Sequence, residues 1–272
     1  MSTIGVICHE FGHNLGAPDY YDTSESGSNN GTGQWDLMAA GSWNGNSGDR
    51  PAHVNGYQKS EYGWLALKEL SDSEAFVLKP VVDEPEVYKI NSTTAGEFFV
   101  LENRQQKGVF DQALPGNGMI IYHVDENSIR QAYYNNEVNV GLHQGLFPIV
   151  ASGSMRNPNT SACPFPGRDN VTSFTDQSTP SSLSWAGENT NRPITNIKQT
   201  GENISFSVST SLPICVAPTE LTASYTGANK VNLKWVPGND AFYSLYNVYR
   251  NDILVASKTN TLEYNDLTAP NG

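Results

Sequence analysis

The chain has 272 residues, with 16 basic against 28 acidic side chains and a formal net charge of −12. That excess of carboxylates argues against phosphate-backbone binding, so no nucleic-acid partner is expected, and it disfavours acidic substrates. Hydrophobic residues make up 38% of the sequence, enough for packed cores in one large or two to three smaller domains, while no apolar run approaches the ~20 residues of a membrane-spanning helix.

The run Thr3-Ile4-Gly5-Val6-Ile7-Cys8 contains no proline and leads into His9-Glu10-Phe11-Gly12-His13-Asn14-Leu15, so a helix through Leu15 is expected. On it His9 and His13 stand four apart and project from one face, where both can reach one ion. Glu10 is offset around the helix, which suits it to take a proton from water rather than to ligate. Gly16 can adopt the left-handed conformation that ends a helix and turns the chain back, returning Asp19 toward the histidines. Two imidazoles and one carboxylate make a catalytic zinc site with a fourth position left for water. An H-E-x-x-H alone also occurs on ordinary charged helices; the continuation through Gly16 and Asp19 makes the pattern specific. Cys8 on the same helix reads as a small buried apolar residue rather than a ligand.

The segment from Asp19 to Trp35 is rich in Asp, Ser, Asn and Gly and reads as a long loop. Its oxygen-bearing side chains offer Asp22, Glu25 or Asp36 as calcium (Ca2+) donors, but without the fixed spacing of a calcium-binding loop; a solvated loop is the plainer reading. Trp35-Asp36-Leu37-Met38-Ala39-Ala40-Gly41-Ser42 sets Met38 among small residues, like the methionine turn beneath the metal of metzincin-type proteases. A second helical segment is expected from Pro51 to Leu67, ending near Gly63-Trp64. It carries His53, Tyr57 and Tyr62, any of which could donate to a developing oxyanion, although packing is the plainer role for each.

After about Ser71 the sequence favours strands: residues 76–82, 87–90, 97–102 and 119–124 are dense in β-branched and aromatic side chains. Residues 193–200 and 204–209 alternate apolar and polar around Gly201-Glu202-Asn203, a hairpin with one buried face. An antiparallel, β-sandwich-like domain over residues 72–211 follows. His123 and Asp125 share a strand face, so joint metal ligation is geometrically open; a strand end bonding to its neighbours is preferred. Residues 157–170 read as an irregular loop. Three cysteines, Cys8, Cys163 and Cys215, cannot all pair, and a Cys163–Cys215 bridge has no support in the spacing.

Residues 9–22, residues 35–42, Gly56-Tyr57-Gln58-Lys59 with Tyr62-Gly63-Trp64-Leu65, residues 99–105 and residues 118–126 together resemble the immune inhibitor A family of secreted bacterial zinc metallopeptidases. The resemblance covers most of residues 1–210. It implies zinc (Zn2+) bound by His9, His13 and Asp19, Glu10 as catalytic base, Met38 as the methionine of the turn, Gly16 as the supporting bend, and a protein or peptide substrate. Metzincins proper carry histidine at the position of Asp19, so Glu25 or Glu61 compete for the third ligand position. Secretion or display at the cell surface is implied as well, although no signal peptide opens the sequence.

Only eight residues precede His9, which predicts a fragment lacking the upper wall of a peptidase cleft. Residues 1–71 would then be the C-terminal half of the catalytic domain. From residue 215 the chain resembles part of a fibronectin type III module, with strands near 217–225, 230–235, 245–250, 253–256 and 261–264 and Trp235 as core tryptophan. This module too is expected to be cut, weakly ordered or aggregation-prone. The expected fold class is α+β multidomain: a zinc-motif helix and methionine-turn half-domain, an antiparallel β domain and an incomplete fibronectin-like sandwich. Two function classes are open, a zinc endopeptidase and a catalytically inactive fragment whose β domains bind protein or glycan.

Overall fold

The computed structural model describes residues 3–25, 27, 29–70, 73–152, 161–209, 218–227, 230–237, 246–259 and 261–268. Residues 157–160 of the expected irregular loop and Cys215 of the considered bridge lie outside these; residues 161–170 of that loop form turns and bends, with Phe165 bridging to Met119. The chain divides into two compact units, Met1–Leu212 and Pro213–Gly272.

In the first unit, helix α1 (Ile4–Asn14) carries the motif, and two short 3-10 turns, Gly33–Trp35 and Ala40–Trp43, follow it. Helix α2 spans Gly56–Glu61 alone, not the whole of 51–67. Residues 51–55 are extended because their backbone is used elsewhere: Ala52 N–H donates to Gly41 O at 2.9 Å, Leu37 N–H to His53 O at 3.3 Å, and Asp111 N–H to Pro51 O at 3.1 Å. The Asn55 side chain then caps α2 by accepting from Gln58 N–H at 2.9 Å.

The strands of this unit are β1 (Lys68–Glu69), β2 (Ser73–Leu78), β3 (Tyr88–Asn91), β4 (Glu97–Arg104), β5 (Gly118–Asp125), β6 (Leu146–Pro148), β7 (Ile194–Thr200) and β8 (Asn203–Val208), with helix α3 (Glu126–Ala132) after β5. One sheet runs β1-β3-β4-β5-β6 and the other β2-β8-β7. All pairs are antiparallel except β1 with β3. Every residue of β4 and β5 is buried, because both faces of the larger sheet are covered. Phe98, Val100, Ile120, Tyr122 and Val124 pack with Tyr20, Trp35, Met38, Val54 and Tyr57. On the opposite face Phe99, Leu101, Met119 and Ile121 pack with Leu78, Ile194, Ile204 and Phe206 of the smaller sheet. The motif-bearing segment thus packs on one face of the larger sheet and the smaller sheet on the other.

The expected hairpin is present as β7 and β8, with a bulge between Thr195 and Lys198 where Asn196 takes φ 54°. The extra residue turns Ile197 inward with Ile194, which strict alternation would forbid. At the end of β5, His123 Nε2 lies 2.9 Å from Glu97 Oε2, while Asp125 caps α3 through Asn127 and Ser128 and receives His143 Nε2 at 2.8 Å. His123 and Asp125 therefore bond to separate partners.

In the second unit, β9 (Thr219–Gly227), β10 (Lys230–Val236) and β13 (Glu263–Asp266) form a sheet in the order β13-β10-β9, and β11 (Tyr246–Arg250) pairs with β12 (Ile253–Thr259). Trp235 is buried, its ring 5.4 Å from that of Tyr246. The protein is rich in strand and poor in helix, with several antiparallel sheets, as an α+β multidomain chain would be.

Candidate metal centre

Helix α1 lies over the Met38 segment through two glycines seven residues apart. A Cβ at Gly5 would overlap Ser42 O, and one at Gly12 would overlap Met38 Sδ; Met38 itself is fully buried. The helix ends at Asn14, Gly16 takes φ 96°, and Ala17 N–H donates back to Gly12 O at 3.0 Å. This left-handed closure reverses the chain and delivers Asp19 to the histidine face of the helix.

His9 Nδ1 is 2.8 Å from Leu37 O and His13 Nδ1 is 2.8 Å from Ala17 O. A carbonyl only accepts, so both Nδ1 atoms carry protons and both Nε2 lone pairs are left over. Those Nε2 atoms lie 3.2 Å apart, and Asp19 Oδ1 lies 3.1 Å from that of His9 and 3.4 Å from that of His13. Asp19 Oδ1 is buried with no hydrogen bond of acceptable geometry. Three electron-rich atoms facing one point repel unless a proton or cation sits among them.

The protein's own response is at His9. Burial works against its charged form, yet the Asp19 carboxylate and the Leu37 carbonyl, both acceptors facing its ring nitrogens, raise its pKa above the usual range. Burial likewise opposes the charged form of Asp19, but His9, Asn136 and the nearby imidazoles hold its carboxyl below the usual range. The donor set fits zinc. Tetrahedral bonds of about 2.0–2.1 Å imply ligand–ligand edges of about 3.3 Å, close to the separations found here.

His9, His13 and Asp19 are the only cluster of three or more His, Cys, Asp or Glu residues able to hold a metal among the described residues. Neither Glu25 nor Glu61 joins it; Glu61 lines a separate hollow beside Tyr133 and Tyr134. The calcium reading of Asp22, Glu25 and Asp36 has no support. Asp36 is wholly buried and takes donors from Thr32, Met38 N–H and Asn55, while Asp22 receives Ser24.

Glu10, exposed, lines a cleft of about 480 Å³ with His9, Val6, Tyr21, Ala39 and Trp43. Tyr21 was not singled out from the sequence, although a hydroxyl two residues past a ligand candidate was a usable signal. Burial, followed by the nearby Asp19 charge, pushes its phenol up to about 12, so it is a neutral donor at pH 7. The three residues considered for oxyanion contact lie elsewhere. Tyr62 Oη donates to Gly12 O at 3.0 Å, Tyr57 is buried against Phe98, and His53 lines an apolar hollow with Cys8, Phe11 and Trp64. Cys8 is half-buried at that hollow rather than fully enclosed.

Beneath the site, the buried Arg104 guanidinium binds Asp111 through two nitrogens, Glu102 at 2.8 Å, and the backbone carbonyls of Trp35 at 2.9 Å and His53 at 3.4 Å. Since His53 O also receives Leu37 N–H and Leu37 O receives His9, the strand bearing Arg104 is linked by hydrogen bonds to the imidazole.

Residues 1–65 match the family model described as immune inhibitor A peptidase M6, catalytic domain. The chain is 41% identical over 77 residues to the pre-pro-metalloprotease PrtV of Vibrio cholerae serotype O1 (strain M66-2), an alignment covering 26% of this chain and 8% of that protein. Immune inhibitor A of Bacillus thuringiensis subsp. alesti is 45% identical over 42 residues, covering 15% of this chain and 6% of its own length. The chain thus spans less than a tenth of the length of these curated relatives. No solved structure matches it. No helix among the described residues is long and apolar enough to cross a membrane. Residues 1–65 are thus similar to the catalytic domain of the immune inhibitor A peptidases.

Proposed function

We propose that the parent protein is a zinc-dependent endopeptidase, with the metal held by His9, His13 and Asp19. The observation that carries this is the convergence of two Nε2 lone pairs and the buried, unbonded Asp19 Oδ1 within 3.1–3.4 Å of one another. When bound, zinc supplies Lewis acidity that polarises a peptide carbonyl and makes water easier to deprotonate. Glu10 takes the proton from the attacking water and returns it to the leaving amine. Tyr21 donates a hydrogen bond toward the carbonyl oxygen as it gains charge. Met38 and Gly16 act as supports, one filling the space under the helix and the other setting the turn.

The substrate is an extended protein segment laid in the cleft between Val6, Tyr21 and Trp43. Residues 1–71 are read as the part of the catalytic domain that carries the metal, residues 72–211 as the β-sandwich that backs it, and residues 215–272 as part of a fibronectin type III module. The β13-β10-β9 sheet and the packing of Trp235 on Tyr246 support the last. Export from a bacterial cell is proposed from the relative named a pre-pro-metalloprotease.

The test is hydrolysis of an unfolded protein by this chain with zinc added, beside Glu10→Gln, with bound zinc measured in both. Cleavage lost in the variant while zinc is retained supports the reading. Zinc bound without cleavage by the unaltered chain makes the non-catalytic binding fragment the better description of this polypeptide.

A further inference from the structure

Asp19 reaches the two histidines on a loop, residues 16–23, and a carboxylate on a loop is free to rotate unless something holds it. Its holder is 117 residues away in the chain. Asn136 Oδ1 accepts from Asp19 N–H at 2.7 Å, and Asn136 Nδ2 donates to Asp19 Oδ2 at 2.7 Å. The amide has one orientation here, since reversing it would set N–H against N–H and oxygen against carboxylate. By bonding the backbone and the side chain of the same residue, it closes a ring that fixes the carboxylate plane. Oδ2 is then occupied, and Oδ1 is the oxygen left facing His9 and His13.

Asn136 is itself held. It takes φ 56°, a left-handed conformation that asparagine tolerates better than most side chains. Its N–H donates to Tyr133 O at 3.0 Å, and its carbonyl accepts from Thr23 Oγ1 at 2.7 Å. Tyr133 Oη donates to Gly16 O at 2.8 Å. The loop is bracketed at Gly16, Asp19 and Thr23 by a segment outside the family match to residues 1–65.

We propose that Asn136 is the positioning residue of the metal centre, orienting Asp19 so that one oxygen is presented to zinc and the other is spent. This rests on the reading of His9, His13 and Asp19 as zinc ligands. Partners of ligands in this position are commonly worth 10–100-fold in metal affinity.

The test measures zinc affinity of the full chain by competition with a chromophoric chelator, together with the visible absorption of its cobalt(II) form. Asn136→Gly removes the amide and keeps the backbone conformation accessible. Asn136→Asp keeps an acceptor for Asp19 N–H but loses the donor to Oδ2. Thr23→Val removes a loop bond while leaving the amide in place. We expect zinc binding about 10–100-fold weaker in both Asn136 variants, with an altered cobalt band envelope, and affinity within about threefold of the unaltered chain in Thr23→Val. Should Asn136→Gly fail to fold, the comparison of Asn136→Asp with Thr23→Val decides. Asn136 variants that bind zinc as tightly as the unaltered chain, or a Thr23→Val variant that weakens it equally, overturn the positioning role alone. An unaltered chain that binds no zinc overturns that role and the metal reading with it.

Discussion

His9 Nε2 and His13 Nε2 face each other at 3.2 Å while each ring's other nitrogen is committed to a backbone carbonyl. The repulsion this builds into the metal-free chain is relieved by a cation, so zinc should stabilise the fold. At a free concentration one hundred times the dissociation constant the gain is about 2.7 kcal/mol. For a unit of this size that raises the melting temperature by roughly 5–10 °C. Thermal unfolding with zinc and with a chelator checks this, and His13→Ala should show no difference between the two conditions.

Tyr21→Phe tests the donor assigned to the cleft. If the hydroxyl acts on the charge that develops during reaction, kcat falls about 100-fold with KM and zinc affinity little changed. A parallel loss of zinc affinity would instead assign Tyr21 to the support of Asp19.

Gly12→Ala reverses the usual sign of a helix substitution. Replacing a mid-helix glycine by alanine ordinarily gains about 0.5–1 kcal/mol, but here the new methyl meets Met38, which is fully enclosed. Overpacking of this kind costs about 1–3 kcal/mol, so urea denaturation should show a net loss of stability. A variant more stable than the parent would mean that Met38 has room to move.

His53 makes stability depend on pH. Burial lowers its pKa from 6.5 to about 4, so the unfolded chain binds a proton that the folded one refuses between those values. Stability from this group is present above pH 6.5 and is lost as the pH falls toward 4. The linkage amounts to about 2 kcal/mol by pH 5. Melting curves from pH 7 to pH 5 for the parent and His53→Asn should converge as acid removes the advantage.

The spacing of His9, Glu10 and His13 was legible because a helix turns a sequence interval into a shared face, and Gly16 because its lack of a Cβ permits φ 96°. The strands around Phe99 and Ile121 were legible from their side chains alone. The extended path of residues 51–55 was not, since its cause is hydrogen bonding to Gly41, Leu37 and Asp111 rather than anything local. Asn136 left no trace near Asp19 in the sequence for the same reason: its role exists only once the chain has folded across 117 residues.

Trp35 and Met38 sit in the same core as Val100 and Tyr122, and Arg104 grips the backbone of Trp35 and His53 from the sheet. The segment under the centre is therefore anchored to the larger sheet along this edge, and opening it there means lifting that segment off the sheet's face. Amide protons of Leu37 and Ala39 should exchange with deuterium no faster than those in the middle of β4, and both should speed up together as denaturant is added. Damage far away in the sandwich would then be felt at His9 as a slackening of the imidazole, well before the protein as a whole is lost.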